Sequence, residues 1–286
     1  MGRDLYEGHA AARALYDRAD AVLGRSISHL CFDGPAEELG KTRNAQPAIY
    51  VTSLACLEVA RATGALTGDP AFMSGHSLGE YSALTAAGAI TFDDGLRLVE
   101  ARGRLTQAAA DATPGVMAAI LGLDEPAATA VCAEAGAELC NINSPGQLVI
   151  GGSRADVERA CKLAVERGAR RAIPLDVGGA FHTSLMQPAV APMTEAIGAT
   201  PVLAPRVPVI TNDRALPVTD PDEIRRELAF QLTHPVRWVQ CVEYMAAQGV
   251  TEFVEIGPGK VLSGLVKRIA TGAQVRNVNG LASITA

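Results

Sequence analysis

The pentapeptide Gly75-His76-Ser77-Leu78-Gly79 is the sharpest chemical signal in the sequence. It has the form G-x-S-x-G and lies between a short apolar segment, predicted to be a strand, and a predicted helix. In a tight turn from strand to helix, a serine hydroxyl projects beyond the sheet edge and can act as a nucleophile. We expect the two glycines to leave room for the turn and the Leu78 N–H to face an oxyanion. The alternative is a turn whose serine only caps the helix.

A serine nucleophile needs a base, and histidine commonly supplies it. The five histidines are His9, His29, His76, His182 and His234. His182 is the best candidate, because it lies where a predicted inserted domain rejoins the main chain, and clefts form at such junctions. We expect His76, inside the turn, to point away from Ser77. A structural role for His182 is the alternative.

Net charge excludes one class of partner, and composition indicates which residues form the core. The 286 residues carry 25 Lys and Arg against 31 Asp and Glu, a net charge of −6, with no run rich in Lys or Arg. The electric field that draws a protein to nucleic acid is therefore missing, and we predict no nucleic-acid partner. Hydrophobic residues make up 48% and aromatic residues only 4%, so Ala, Leu, Val and Ile are expected to form the core.

Cysteine spacing and hydropathy point to a cytoplasmic protein. The six cysteines are scattered and show no spacing typical of metal ligands: Cys31, Cys56, Cys132, Cys140, Cys161 and Cys241. We therefore predict reduced thiols, with no metal site and no disulfide framework. Residues 1–20 lack the apolar core of a signal peptide. The longest uncharged run, residues 177–194, contains a histidine and two prolines and is not expected to span a membrane.

Helical patterns dominate the first hundred residues. Apolar residues at helical spacing predict one helix over residues 11–23 and a second from Pro47, taken as its first residue, towards Gly64. Thr91 followed by Asp94 resembles a capping box and predicts the start of a helix that carries Arg102.

The pattern changes at Val116, where strands and helices begin to alternate. The predicted strands are Val116–Leu121, Leu139–Asn143, Leu148–Gly151 and Arg171–Leu175, and the predicted helices are Glu125–Ala135 and Ala155–Arg167. The order βαββαβ is that of a ferredoxin-like unit. We predict a small domain of residues 115–182 inserted into a larger domain formed by residues 1–114 and 183–286.

The residues after this insert also alternate between strands and helices. The predicted helices are Pro188–Gly198, Glu223–Leu232, Val236–Gln248 and one that follows Gly257-Pro258-Gly259 to about Ile269, and the predicted strands are Val207–Ile210 and Glu252–Ile256. This alternation favours the α/β class with a largely parallel sheet in the large domain.

Seven sequence blocks, in order, resemble one known family. They are Gln46-Pro47-Ala48-Ile49, Gly75-His76-Ser77-Leu78-Gly79-Glu80-Tyr81, Arg102-Gly103, Asn143-Ser144-Pro145-Gly146-Gln147, Ala180-Phe181-His182, His234-Pro235-Val236-Arg237-Trp238 and Glu255-Ile256-Gly257-Pro258-Gly259-Lys260-Val261-Leu262. The sequence is similar in these blocks to malonyl-CoA:acyl-carrier-protein transacylases and polyketide-synthase acyltransferase domains. The resemblance implies a hydrolase-like α/β domain with a ferredoxin-like insertion, in agreement with the predicted elements.

The resemblance also implies a reaction. Ser77 would attack the malonyl thioester, and His182 would take and return the proton. A backbone carbonyl near Gln231 would hold the histidine, so Asp176 is not needed as a third member and is interpreted as structural. Malonyl-CoA would be the acyl donor and the phosphopantetheine thiol of acyl carrier protein the acceptor, without a metal or redox cofactor.

Further residues gain expected roles from the same resemblance. Arg102 would bind the free carboxylate of the malonyl group, and Gln46 and His76 would belong to the substrate-binding residues. Without the motif, Arg102 would be interpreted as a surface residue. Phe181 would leave little room for an α-methyl group on the substrate. An arginine is well suited to the carboxylate because its planar guanidinium offers two parallel N–H donors.

Two other features bear on the partner and on the alternatives. Lys267 and Arg268 match a basic pair near the carrier-docking surface, although a solvated helix face explains them equally well. Family members carry a strand and a Gly-Gln-Gly-Ser-Gln-like loop before a stretch like residues 1–7, and that loop supplies a second oxyanion N–H. The sequence predicts an S-malonyltransferase. The alternatives are an acyl hydrolase on the same fold and an inactive carrier-binding relative that lacks this N-terminal oxyanion loop.

Overall fold

The computed structural model describes residues 1–285, which form helices and short strands. The helices are α1 (Arg3–Gly8), α2 (Ala10–Leu23), α3 (Ile27–Asp33), α4 (Ala36–Gly40), α5 (Thr42–Ala62), α6 (Gly79–Ala86), α7 (Phe92–Ala112), α8 (Glu125–Ala135), α9 (Arg154–Glu166), α10 (Gln187–Gly198), α11 (Pro221–Phe230), α12 (Trp238–Ala247), α13 (Val261–Ile269) and α14 (Leu281–Thr285). The strands are β1 (Met73–Ser74), β2 (Val116–Leu121), β3 (Glu138–Ser144), β4 (Gln147–Gly152), β5 (Arg171–Leu175), β6 (Val209–Ile210), β7 (Pro217–Val218), β8 (Glu252–Ile256) and β9 (Gln274–Val278). Two short 3-10 helices are Ser184–Met186 and Gln231–Thr233.

Strands β2 to β5 form an antiparallel sheet in the order β3-β4-β2-β5. With α8 and α9 this is the ferredoxin-like βαββαβ unit, so the predicted order of elements is confirmed. The two faces of the sheet differ, because side chains alternate along a strand. Ile120 and Ile150 pack against both helices, whereas Met117 and Val149 pack against the segment around Ala180. The boundaries at residues 115 and 182 enclose this sheet and stay a prediction.

The sequence predicts one largely parallel sheet in the large domain. The strands there do pair mainly in parallel, but they form two separate sheets. Strand β1 pairs with β6 in parallel, β7 adds to β6 in antiparallel orientation, and β8 pairs with β9 in parallel. The predicted strand Val207–Ile210 is shorter in the structure, since only its last two residues pair. Strand β9 and helix α14 were not predicted, because the polar sequence of β9 does not show clear alternation.

Helices α5 and α7 lie side by side and carry two of the predicted site residues, Gln46 and Arg102. Gly103 allows their close approach, because a Cβ there would lie 3.1 Å from the Thr42 carbonyl oxygen of α5. The prediction that Pro47 begins a helix is wrong. It lies in the second turn of α5 and gives up one helical hydrogen bond there. The predicted cap of α7 is confirmed, since the Thr91 hydroxyl accepts the Asp94 N–H.

The segment between α11 and α12 departs from the predicted helices in a way that matters for the site. Helix α11 ends at Phe230, and the following 3-10 turn holds Gln231. Helix α12 begins at Trp238 instead of Val236, because Val236 bonds to the edge of β3. The Val236 N–H donates to the Cys140 carbonyl at 2.9 Å, and the Val236 carbonyl accepts the Ile142 N–H at 2.9 Å. These two bonds tie the large domain to the small sheet. Within residues 1–285, no helix is both long and apolar enough to cross a bilayer.

Candidate active site

Ser77 lies in the turn between β1 and α6 with a backbone φ of +52°. This left-handed conformation is costly for a residue with a side chain and is found preferentially at functional sites. Gly75 permits the turn, because a Cβ there would overlap the backbone of Gly79. Gly79 has open space where its Cβ would lie, since it is already the first residue of helix α6. The expectation that both glycines relieve crowding is therefore confirmed for Gly75 and wrong for Gly79.

The structure brings Ser77 and His182 together, although 105 positions separate them. The distance from Ser77 Oγ to His182 Nε2 is 2.7 Å. His182 Nδ1 lies 2.9 Å from the Gln231 carbonyl oxygen and 3.2 Å from that of His234. A carbonyl can only accept, so Nδ1 carries the proton and Nε2 is free to accept the serine proton. The Gln231 carbonyl is where the sequence resemblance places it, whereas the His234 carbonyl was not predicted.

The loop that carries His182 is fixed on both sides. His182 has a φ of +61°, so both residues of the Ser–His pair are in the left-handed region. The neighbouring Thr183 hydroxyl donates to the Ala180 carbonyl at 2.6 Å, and the Glu138 carboxylate of β3 accepts the Ser184 N–H. Asp176 is exposed and makes no hydrogen bond to His182 within residues 1–285.

Burial sets the protonation state of His182. Burial, with a smaller contribution from the nearby Arg102 cation, lowers the pKa of His182 to about 3. The imidazole is therefore neutral at pH 7, with a lone pair on Nε2 available to Ser77. Burial also lowers the pKa of His76, whose Nε2 lies 2.8 Å from Asn143 Oδ1. His76 thus points away from Ser77, as expected, and contacts the small sheet.

Arg102 is 5% exposed and touches the nucleophile directly. Its Nη2 donates to Ser77 Oγ at 3.0 Å and to Gln231 Oε1 at 2.9 Å, and its Nη1 donates to Gln46 Oε1 at 2.8 Å. Every one of these acceptors is neutral, and Arg102 forms no ion pair within residues 1–285. A buried cation with neutral partners is the arrangement that an anionic ligand completes. Arg102 is therefore placed to bind a carboxylate one hydrogen bond from the serine.

A buried amide and carboxylate network supports these residues and was not predicted. Glu80, which is 2% exposed, accepts the Gln231 Nε2–H at 2.7 Å and the Asn212 N–H at 3.1 Å through Oε2. Burial raises the pKa of Glu80 to about 8. Asn212 bonds the turn itself, since its Oδ1 accepts the Ser77 N–H at 2.6 Å. The available signal was Glu80, an acidic residue in the first turn of a helix that has no other ionisable carboxyl or basic group.

Some of the other predicted residues lie beside Ser77 and His182, and others lie on the surface. The Leu78 N–H makes no hydrogen bond to residues 1–285, so it is free to donate to a ligand. Phe181 is half-buried next to His182. It packs against the apolar cluster that includes residues of α5 and α7, and against the cluster around Met117 and Val149. Lys267 and Arg268 are exposed on α13, and Arg268 donates to Gln147 Oε1 at 2.6 Å. This basic pair is outside the hydrogen-bonded centre, and its docking role stays a prediction.

His182 lines a cavity of about 390 Å³ that lies between the small antiparallel sheet and the segment after α11. One wall is formed by Thr233, His234 and Pro235, and the other comes from α8 and β3 of the small domain. Clefts of this size between domains commonly hold an extended ligand. Through His182 this cavity adjoins the Ser77–His182 pair.

Comparisons with known proteins agree with this geometry. The family model described as an acyl transferase domain matches residues 1–284. The malonyl CoA-acyl carrier protein transacylase of Bacillus subtilis is 47% identical over 274 residues, covering 94% of this chain and 86% of the relative. A solved acyl-carrier-protein S-malonyltransferase from Burkholderia pseudomallei is 44% identical with a TM-score of 0.93, covering 98% of this chain and 92% of that one.

A third structure shows a relative with its partner. It is described as a type II polyketide-synthase acyl-carrier protein in complex with its malonyl-transacylase, and it is 39% identical with a TM-score of 0.94. The match covers 99% of this chain and 92% of that one. The family model, the sequence relatives and the solved structures are all acyl transferases. This chain therefore belongs to the acyl transferase family.

Proposed function

We propose that this protein transfers a malonyl group from malonyl-CoA to the phosphopantetheine thiol of acyl carrier protein through an ester on Ser77. One observation carries the proposal: the buried Arg102 cation, with neutral partners only, bonds to the same Ser77 Oγ that contacts His182. A nucleophile with a carboxylate-binding group beside it fits an acyl group that ends in a carboxylate. Two relatives named malonyl CoA-acyl carrier protein transacylase, from Bacillus subtilis and Escherichia coli, are 47% and 44% identical to this chain.

In the first half-reaction, Ser77 Oγ attacks the thioester carbonyl of malonyl-CoA and His182 Nε2 takes the serine proton. The carbonyls of Gln231 and His234 accept the Nδ1–H and stabilise the imidazolium that forms. The Leu78 N–H donates to the developing oxyanion. The intermediate collapses, the carbon–sulfur bond breaks, and CoA leaves as a thiol with the proton from His182.

In the second half-reaction, the thiol of the carrier's phosphopantetheine arm gives its proton to His182 and attacks the malonyl ester. The carbon–oxygen bond to Ser77 breaks and His182 returns the proton to Oγ. Arg102 holds the malonyl carboxylate throughout, and Gln46 Oε1 orients the guanidinium. These steps use no cofactor, and the absence of a cofactor is a prediction from the family resemblance.

We place the reaction in the cytoplasm. This location suits the six free cysteines, all of which lie within the described residues.

The proposal is tested by mixing the protein with malonyl-CoA and a phosphopantetheinylated acyl carrier protein. The expected products are malonyl-carrier protein and free CoA in equal amounts. Free malonate in place of malonyl-carrier protein would support the hydrolase alternative. Carrier binding without any release of CoA would support the inactive alternative, and either result would overturn the proposal.

The pH dependence of acylation should reflect the low pKa of His182. The neutral imidazole is the base, so a pKa lowered from the ordinary value of about 6.5 keeps the base active as the pH falls through 6.5. We expect kcat/KM for CoA release to stay flat between pH 7 and about pH 5 and to fall only at lower pH. Stopped-flow CoA release measures this, with circular dichroism at each pH as a control for folding. A decrease centred near pH 6.5 would contradict the buried neutral base.

Phe181 should limit the size of the acyl group. Replacing it by Phe181→Ser removes a ring next to His182, and one methyl group is worth about 1–3 kcal/mol in a pocket, or roughly 10-fold or more in relative rate. We expect the ratio of kcat/KM for methylmalonyl-CoA to that for malonyl-CoA to rise by about that factor. The matched control is Phe32→Ser, another half-buried phenylalanine that packs with Tyr6 and Tyr16 instead. An unchanged ratio in Phe181→Ser would show that the ring does not face the acyl group.

A further inference from the structure

Three successive peptide groups of the Ser77 turn are bonded by side chains from distant parts of the chain. Asn212 Nδ2 donates to the Gly75 carbonyl at 2.7 Å, and Asn212 Oδ1 accepts the Ser77 N–H at 2.6 Å. Gln231 Nε2 donates to the Ser77 carbonyl at 3.1 Å. The backbone on either side of the nucleophile is therefore held by two amide side chains that are not neighbours in sequence.

These bonds decide which backbone N–H remains available to a ligand. The Ser77 carbonyl and the Leu78 N–H belong to one planar trans peptide and point in opposite directions. Gln231 Nε2 and the Glu80 N–H both donate to that carbonyl at 3.1 Å. Together they set the direction of the Leu78 N–H, which makes no bond to residues 1–285. Asn212 occupies the Ser77 N–H instead. The N–H that can meet an oxyanion is thus that of Leu78.

Asn212 is itself rigidly placed. It comes two residues after β6, which pairs in parallel with β1 directly before the turn. Its N–H donates to Glu80 Oε2 at 3.1 Å, and its carbonyl accepts the Arg237 N–H at 2.9 Å. It is 1% exposed, and all four of its polar groups have partners. A side chain with both an acceptor and a donor is needed here, which an amide provides.

We infer that Asn212 is a positioning residue of this enzyme: its amide holds Ser77 in the left-handed backbone conformation that aims Oγ at His182 and leaves the Leu78 N–H open. The inference rests on the proposed acyl transfer through Ser77 and adds to it a residue that does not touch the substrate. Strained backbone at a functional site persists only when surrounding contacts over-determine it, and Asn212 supplies two of those contacts.

The experiment compares single-turnover acylation in wild-type protein, Asn212→Ala and Asn212→Asp. Small displacements of a reacting group cost about 10²-fold in rate, so Asn212→Ala is expected to lower the acylation rate constant by about that factor. The Kd for malonyl-CoA should stay within about twofold, because the bonds of Arg102 to Gln46 and Gln231 are untouched. Asn212→Asp keeps the acceptor for the Ser77 N–H but loses the donor to Gly75, and an intermediate rate constant is expected.

The matched control is Asn277→Ala. The Asn277 amide also donates to two oxygens, Glu255 Oε2 at 3.1 Å and the Gly259 carbonyl at 2.9 Å, but it lies on β9 away from the turn. A merely structural role predicts similar losses of thermal stability in both variants and unchanged acylation per folded molecule. A wild-type rate constant in folded Asn212→Ala, or a loss equal to that of Asn277→Ala, would overturn the inference. If Asn212→Ala does not fold, Asn212→Asp is compared with Asn277→Asp instead. The criterion is again the acylation rate constant per folded molecule.

Labelling of Ser77 by a fluorophosphonate separates this inference from the proposed function. The reagent reacts with an activated serine and does not need a malonyl group. If wild-type protein is labelled but is not acylated by malonyl-CoA, the proposed function fails, and the ratio of labelling rates in Asn212→Ala and wild-type protein still tests Asn212. A ratio near one overturns the positioning role, and a ratio of about 10⁻² supports it.

Discussion

Ser77→Ala is expected to abolish malonyl transfer to the carrier protein, with a loss of at least about 10⁴-fold in kcat. The substitution removes the atom that forms the ester, while the bonds of Arg102 to Gln46 and Gln231 remain. Binding of malonyl-CoA should therefore persist without turnover. The initial rate of malonyl-carrier formation measures the loss, and equilibrium binding of malonyl-CoA measures what remains.

The control for Ser77→Ala lies in the first turn of helix α6, directly after the turn that carries Ser77. The Ser82 hydroxyl is buried and has no hydrogen-bond partner within residues 1–285, so Ser82→Ala should retain wild-type transfer. The pair therefore separates chemistry at Ser77 from any effect of changing a nearby serine in this part of the chain. Transfer by Ser77→Ala at a rate within about tenfold of wild type would mean that the acyl group does not pass through an ester on Ser77.

Arg102→Met is expected to lower kcat/KM for malonyl-CoA by roughly 10²–10⁴-fold. Two charge-assisted hydrogen bonds of about 1.5–3 kcal/mol each are lost, and each 1.4 kcal/mol corresponds to a factor of ten. Acetyl-CoA has no free carboxylate, so its kcat/KM should fall far less, and the preference for malonyl over acetyl should decrease by a similar factor. Arg102→Lys should also perform poorly, because an ammonium group cannot make the two parallel contacts of a guanidinium.

Arg104→Ala is the matched control for Arg102→Met. Arg104 lies two positions away on α7 and is exposed, so its removal changes the net charge equally without touching Ser77. We expect it to keep the malonyl preference. Equal losses of kcat/KM for malonyl-CoA and acetyl-CoA in Arg102→Met would contradict the assignment. They would indicate that Arg102 stabilises the fold or positions Ser77 and does not bind the malonyl carboxylate.

The reacting pair was predictable because much of its signal is local. The turn that carries Ser77 is encoded within five residues, and Gly75 is required there by direct contact with Gly79. His182 was identified by its place at a domain junction and by the family blocks around it. Arg102 needed the resemblance, since an arginine on a helix gives no sign by itself that it is buried.

The support of the site was not predictable from the same patterns. Asn212 and Gln231 reach Ser77 from positions more than a hundred residues away, and hydrogen bonds between such segments leave no periodic trace in the sequence. Glu80 is an acidic residue that is only 2% exposed, which no helix pattern indicates. The prediction that α12 starts at Val236 was wrong for a related reason. Val236 pairs with the edge of β3, and this tertiary contact overrides the helical preference of the local sequence.

The position of the covalent malonyl group tests the central claim most directly. The protein is mixed with malonyl-CoA in the absence of carrier protein, quenched in acid, digested, and its peptides are analysed by mass spectrometry. The account predicts one added malonyl group on the peptide that contains Ser77, lost again when carrier protein is added before the quench. A malonyl group on another residue, or an unmodified Ser77 in protein that still forms malonyl-carrier protein, would contradict it.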